Sequence, residues 1–534
     1  MRTSKKKPPR RRAGQSKPTL RPPHRRSRLQ RGSILVLREP RVLFHHSQAL
    51  EDPRDGLTLF GPLEGPFGLR IGVIGTLYGI RLYRAWAERI RGPLANEVGS
   101  YLSDPHFPGF ESAFRIPWQL EPALTIEVDP EELDRVVHHG DPHQRVFATV
   151  ALFAEPIVAA LRNEEVKVDV WFVVIPDVVH ENCRPRSRLP LDERTEDDAP
   201  AHIRAKEARE LFDQPSLFAE DHEAATPYYF EVDFHNQLKA RLLGNLAPTQ
   251  IVRESTLAFP PKEVRLPPGR DKRKLQAAVA WSLSTAAFYK AGGKPWKIAE
   301  IRKGVCYVGL VFKQDVTQRD PRMACCAAQM FLDSGDGTVF RGAVGPWHSS
   351  ERHEFHLSHA AARELIAVAV ASYVDKAGHP PRELFIHGKA YFEDEEWAGF
   401  QAGVDARMTT LVGVRIRDTA DLRLYRPGTH PVLRGTALVR GRNSAYLWTR
   451  GFAPLLRTYV GREVPKPLRI DVLRGTAELR KVLADILALT KLNFNTCIFA
   501  DGLPVTLRFA DAVGEILTAG PVGQSNPLAF KYYI

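Results

Sequence analysis

Apolar positions along this chain follow two rhythms. Residues 69–76 read Leu-Arg-Ile-Gly-Val-Ile-Gly-Thr, a compact β-branched run ending in glycine, which is the pattern of a strand buried on both faces of a parallel sheet. Residues 142–163 carry apolar side chains at helical spacing, and Val166 to Ile175 is a second apolar strand stopped by Pro176. Strand, helix and strand in alternation predict a doubly wound α/β domain. The stretch from Leu37 to Pro62 is turn-rich and predicts short strands at best, and residues 184–225, dense in charge and proline, predict an exposed excursion. A second α/β block follows the Pro/Lys/Arg-rich linker 260–274. It opens with a helix at 275–290 that stops at Gly292-Gly293, with Pro295 just beyond. Strands are expected at 305–312 and 325–332, a helix at 360–374, strands at 383–387, 410–416, 444–449 and 467–473, and a long helix at 476–490. The length of 534 residues fits two to three domains, and no fixed-period repeat interrupts the division.

Composition narrows the class. No run of 18 or more apolar residues appears, so no membrane-spanning helix is expected, and no apolar stretch follows the basic start as a secretory signal would require. The five cysteines, Cys183, Cys306, Cys325, Cys326 and Cys497, contain no C-x-x-C pair and predict reduced thiols of a cytoplasmic protein rather than a zinc site. The net charge of +13 is unevenly spread, because residues 1–32 hold 13 Lys and Arg and no Asp or Glu. The remainder balances at 62 basic against 62 acidic residues. Residues 1–33 are therefore expected to be a disordered basic tail. Such a tail attracts nucleic acid through counterion release, or it serves solubility alone; composition leaves both open. Specific binding has to come from local sites in the neutral remainder.

One segment offers such a site. In Phe234-His-Asn-Gln-Leu-Lys239 a helix would set His235 and Lys239 on one face, offering a ring for stacking and an ammonium for a phosphate. Gln250, opening the next strand, adds an amide, and Lys290 closes the later helix. Surface helices commonly carry polar pairs at this spacing, so spacing alone does not establish convergence.

The order His-x-x-x-Lys, then Pro248-Thr-Gln-Ile-Val-Arg-Glu254, then Tyr289-Lys-Ala-Gly-Gly-Lys-Pro-Trp296 resembles the MID-to-PIWI junction of Argonaute proteins. Glu39-Pro40, residues 52–57, Gly61-Pro62, Phe107-Pro-Gly-Phe110, residues 490–495 and residues 503–511 resemble the short prokaryotic members, which lack the N and PAZ domains. The resemblance covers roughly 34–534. It implies a Rossmann-like MID domain, with its N-terminal segment, over 34–265 and an RNase H-like PIWI domain over 266–534. It further implies that His235 stacks on the first base of a guide strand while Lys239, Gln250 and Lys290 hold its 5′ phosphate. The carboxylate of Ile534 would help bind Mg²⁺ at that phosphate.

The same resemblance places the metal-binding carboxylates of a PIWI nuclease at Val311, at Gly388 and near Asn493, where this chain has none. A valine and a glycine cannot ligate metal, and Lys389 beside Gly388 would oppose it. Asp315, Glu351, Glu354 and Glu393 to Glu396 are expected to be turn residues, solvated faces or caps. The expected function is therefore a nuclease-dead Argonaute that uses a guide RNA to recognise complementary target DNA. Its output would reside in a separate APAZ-containing effector (TIR, sirtuin-like NADase or nuclease) acting against plasmids or phages. An active nuclease with a rearranged metal site is the alternative. A nucleotide-binding enzyme built on Gly72-Val-Ile-Gly75 is a third reading, without the G-x-G-x-x-G spacing it would need.

Overall fold

The computed structural model describes residues 33–96, 102–163, 167–195, 203, 205–213, 217–258, 275–314, 324–332, 337–344, 347–349, 354–419, 422–459, 461, 463–521 and 528–534. The basic tail up to residue 32, the linker 260–274, Asp315 and Glu351 lie outside the described residues.

The first body is a four-stranded, all-parallel sheet in the order Leu124–Glu127, Ile71–Gly75, Val170–Ile175, Thr249–Arg253. Its two central strands are buried at every position, as their β-branched runs require, whereas the first edge strand alternates. Gly72 makes room for the Trp171 ring, since a Cβ there would lie 2.6 Å from a ring carbon. Packing thus accounts for a glycine that, in the sequence, prompted a nucleotide-binding loop.

Helices cover both faces. Leu77–Arg91, capped by Thr76, sets Tyr83 and Trp86 against Phe172. Pro142–Arg162 starts at Asp141, whose carboxylate accepts the amides of His143 and Gln144, with proline at the first helical position. By length and composition this helix could cross a membrane. Here Val146, Val150, Phe153 and Ile157 cover the sheet, packed with Val173 and Leu238.

The second body is a ten-stranded sheet. Its order is Ser33–Val36, Thr436–Val439, Ser444–Leu447, Leu468–Arg474, Thr410–Asp418, Glu383–Gly388, Val305–Gln314, Ala324–Leu332, Gly337–Val344, Leu528–Ala529. At its centre Glu383–Gly388 runs parallel to both neighbours. Helices Leu479–Leu489 and Ala510–Thr518 pack on one face, and His359–Ala377 and Asp394–Ala402 on the other. Helix Gln276–Lys290 joins the bodies into one core: Trp281 meets Phe107 edge-on at 5.0 Å, and Tyr289 stacks on Phe494 at 4.5 Å.

The expected elements appear within a few residues of their predicted bounds, with instructive departures. The turn-rich opening contains a helix, Pro53–Phe60, started by the Asp52 cap and a proline at its first position. The charged excursion holds helices Ala205–Asp213 and Ala219–Ala225 around a small buried cluster of Ile203, Ala208, Ala225 and Tyr228. Ser33–Val36 pairs with Thr436–Val439, so the N-terminal segment completes the second sheet rather than the first. A buried ion cluster fixes it there: Glu39 accepts from Arg434 at 3.0 Å and Lys491 at 2.7 Å, and Arg434 also donates to Thr490 Oγ1 at 2.6 Å.

Gly309 lies where helix Val505–Arg508 crosses the sheet, and a Cβ there would sit 1.9 Å from the Thr506 carbonyl oxygen. Gly309→Ala forces that helix off the sheet. A loss of about 3 kcal/mol in urea unfolding is expected; an unchanged midpoint would contradict this packing.

Candidate functional site

Helix Phe234–Leu243 starts at Asp233, whose carboxylate accepts the Asn236 amide. Phe234, Leu238 and Leu242 enter the core, and the i, i+4 spacing sets His235 and Lys239 on a common face. Lys239 Nζ donates to the main-chain oxygen of Ile534 at 2.8 Å and to the Thr249 carbonyl at 3.4 Å. Lys290, the last residue of its helix, donates to the same Thr249 carbonyl at 3.0 Å and to Gln250 Oε1 at 2.7 Å. The two lysines are 3% and 1% exposed. Lys239, Gln250, Lys290 and Ile534 are thus brought together from four separate stretches of chain.

His235 joins them one helical turn away, its ring open to a pocket of about 500 Å³. Gln250 differs from expectation in its polarity. Its carbonyl oxygen accepts from Lys290 instead of its amide facing the site, because the buried nitrogen takes the nearest acceptor.

Electrostatics follow from this crowding. Burial lowers the Lys239 ammonium to about 7. Burial, and then the Lys239 charge, hold Lys290 well below the ordinary lysine range. The surrounding protein and Lys239 push His235 down to about 4. Exposed at the pocket mouth and lowered in this way, the imidazole is neutral at pH 7. The pocket is not lined by Lys239, Gln250, Lys290 or Ile534; sequence reading missed the polar residues that line it with His235, namely His180 and Arg184 beyond the strand Val170–Ile175, Arg253, and Glu515 from helix Ala510–Thr518. Pro176-Asp177 at the strand end was the only local signal.

The second place of interest is the end of the central parallel strands. Gly388 pairs with Leu310, which puts Val311 one step further along the neighbouring strand. Val311 is 4% exposed and packs in the core with Val505, Leu507 and Val513. Lys389 follows Gly388, and its Nζ lies 2.9 Å from Asp511 Oδ2. Asp511, in the first turn of helix Ala510–Thr518, ends the 503–511 segment singled out in the sequence, which gave its carboxylate no role. Asn493 is committed to its own loop, donating to Asp501 at 2.6 Å and accepting the amides of Asn495 and Thr496. Glu354 accepts the Tyr391 amide and Glu396 the Leu357 amide, so each carries a structural bond. Among the described residues, no group of three or more His, Cys, Asp or Glu is placed to hold a metal ion.

The lysine pair has a stability consequence. Each group's folded-state affinity for a proton is depressed, so the unfolded chain binds more protons below pH 10 and the ligand-free fold gains stability as pH rises from 7 to 9. Denaturant titrations should show wild type gaining about 2 kcal/mol more over that interval than Lys239→Met. Parallel pH profiles for the two proteins would refute the burial of a titrating amine at this position.

No protein-family model matches the chain, and no curated protein matches it in sequence. Solved structures do. The chain is similar to Clostridium butyricum Argonaute bound to a guide DNA (5′ deoxycytidine) and a 19-mer target DNA, with a TM-score of 0.61 and 14% identity, covering 95% of this chain and 55% of that one. It is similar to Drosophila Piwi at 0.54 and 14%, covering 94% and 56%. A structure of Aa-Ago with externally bound siRNA gives 0.51 and 13%, covering 93% and 56%. The chain spans a little over half the length of these proteins, and at such identity the likeness is one of fold. With its parallel first sheet and its second sheet joined through one core, the chain has the Argonaute and Piwi fold, a Rossmann-like MID body followed by an RNase H-like PIWI body.

Proposed function

We propose that this chain binds the 5′-phosphorylated end of a guide strand, recognises a target by base pairing, and does not cut it. The observation that carries the reading is the meeting of two buried lysine amines on the Thr249 carbonyl, with Gln250 alongside. Two buried lysine amines meeting at one point favour a compact anion. The neutral, exposed His235 ring is suited to stack on the first base. The similarity to an Argonaute that carries a guide DNA and a target DNA supports a paired guide and target here. Guide RNA with DNA target is the combination the short members suggest.

A Mg²⁺ ion at the phosphate would find one protein carboxylate, that of Ile534, one of whose oxygens already accepts from Lys239. The residues present do not make a cage for the metal, and the lysines supply the charge. What supports the absence of cleavage is that Val311 and Gly388 stand at the positions where the resemblance expects metal-binding carboxylates, with the Lys389 ammonium, paired to Asp511, beside them. A protein that binds a target without cutting it needs an output elsewhere. We assign that output to an APAZ-containing effector with a TIR, sirtuin-like or nuclease domain, acting in the cytoplasm in defence against plasmids or phages. Target binding would bias the complex towards its active state through contacts that differ between the two states.

The test is a loading assay with RNA and DNA guides bearing 5′-phosphate or 5′-hydroxyl ends, followed by matched target with Mg²⁺ or Mn²⁺. Wild type should prefer the phosphate by about a hundredfold and leave the target intact. His235→Ala/Lys239→Ala should lose most of that preference, consistent with about 1.5–3 kcal/mol for each charged hydrogen bond. Equal affinity for both ends would sink the phosphate site, and discrete guide-directed cuts would restore the rearranged nuclease.

A further inference from the structure

Helix Leu479–Leu489, the segment Leu37–Pro40 and residues 298–301 enclose a cavity of about 250 Å³ in the second body. It shares no residue with the His235 pocket or with the lysine cluster. Leu37, Pro40, Ile298 and Ala488 give it apolar walls, and Tyr307 and Asp485 line it as well. Its charged groups are unequally committed. The Glu39 carboxylate is held by Arg434 and Lys491, and that of Glu300 by Arg41 at 2.6 Å. Arg38 and Arg480 also line the cavity, are exposed, and make no ion pair among the described residues.

The inner polar groups are short of partners. Tyr307 is 0% exposed, and its hydroxyl is buried without a hydrogen bond, although Asp485 and Arg302 are near enough for their charges to act on it. Burial first, and then the Asp485 charge, hold this phenol far above its ordinary range, so it keeps its proton to donate. Arg302 donates to Glu383 and, at 2.6 Å, to Asp485 Oδ2, which fixes that carboxylate and leaves Oδ1 without a hydrogen bond among the described residues. A buried hydroxyl with nothing to bond is costly, and one that lines a cavity beside a half-used carboxylate calls for a ligand that supplies an acceptor and donors together.

We propose that this cavity binds a guanine mononucleotide. Along its pairing edge guanine presents an acceptor, O6, and then two donors, the N1–H and the 2-amino group. Tyr307 supplies the donor for O6, and Asp485 accepts from both N–H groups. Adenine carries an amino donor where guanine has O6 and an acceptor at N1, so it would set donor against Tyr307 and lone pair against Asp485. The apolar walls take the faces of the base, and the phosphate rests at the mouth against Arg38 and Arg480. A nucleotide seated there touches segment 37–40 and helix Leu479–Leu489 at once, and so fastens the N-terminal segment to the second body.

Calorimetry on the full chain tests this with GMP, inosine 5′-monophosphate and AMP. Each titration is repeated in His235→Ala/Lys239→Ala, so that a mononucleotide entering the lysine cluster is told apart from one in this cavity. GMP should bind both proteins alike. The inosine nucleotide, which lacks the 2-amino group, should bind about tenfold more weakly, and AMP more weakly still. Tyr307→Phe removes only an unpartnered oxygen; it should leave the melting temperature of the free protein unchanged or higher and weaken GMP about tenfold. Ala484→Phe, at an exposed helix position that lines the cavity, should fill it and abolish binding. GMP should raise the melting temperature of wild type with concentration and leave that of Ala484→Phe where it was. Equal affinity for GMP and AMP would overturn the proposal. So would GMP binding that survives both cavity variants, binding lost on changing His235 and Lys239 alone, or no binding at millimolar GMP.

Discussion

Two lysine side chains buried against one peptide carbonyl impose the constraint around which this molecule is arranged. Keeping amines away from water is costly, so each must be delivered to its acceptors by elements that cannot drift. Lys239 is carried by a helix pinned through Phe234 and Leu238 to the first sheet. Lys290 is carried by the helix whose Trp281 and Phe288 tie the two bodies together. The acceptor Thr249 is buried at the start of the parallel strand that closes the first sheet. The lysine cluster is therefore a property of the joint between the bodies and of neither alone.

The far end of the second sheet shows the opposite economy. Gly309 still lets helix Val505–Arg508 come within contact distance of the strand, as the fold needs. The neighbouring position, Val311, is an apolar core residue packed beneath the same helix. This strand end is closely packed and apolar on its buried side. The ion pair of Lys389 and Asp511 joins the strand end to the helix, and both partners are largely in water, so it contributes little to stability.

Much of this was legible in the sequence because it rests on local periodicity. Uninterrupted β-branched runs marked the central strands, and the four-residue spacing of His235 and Lys239 marked their shared face. What escaped depends on closure over long distances. Asp511 and Glu515 belong to a late helix whose pattern says nothing about the pocket it borders. The orientation of the Gln250 amide is set by Lys290, forty residues away. The cap Asp52-Pro53 is a local helix-start signal that the turn-rich reading of Leu37 to Pro62 left unused. The small cluster of Ile203 and Ala208 was hidden by the charge density around it.

The pairing of Ser33–Val36 with Thr436–Val439 bridges about 400 residues of sequence. During synthesis the early strand leaves the ribosome long before its partner exists, and closing so large a loop is entropically slow. The apolar Ile34 to Val36 must wait without a neighbour, and the opposite rim of the sheet is closed by the long-range pairing of Leu528–Ala529 with Thr338 and Val339. Completion of the second sheet thus waits on pairing across most of the sequence, and until then its open strand edges are the adhesive surface of any partly folded state.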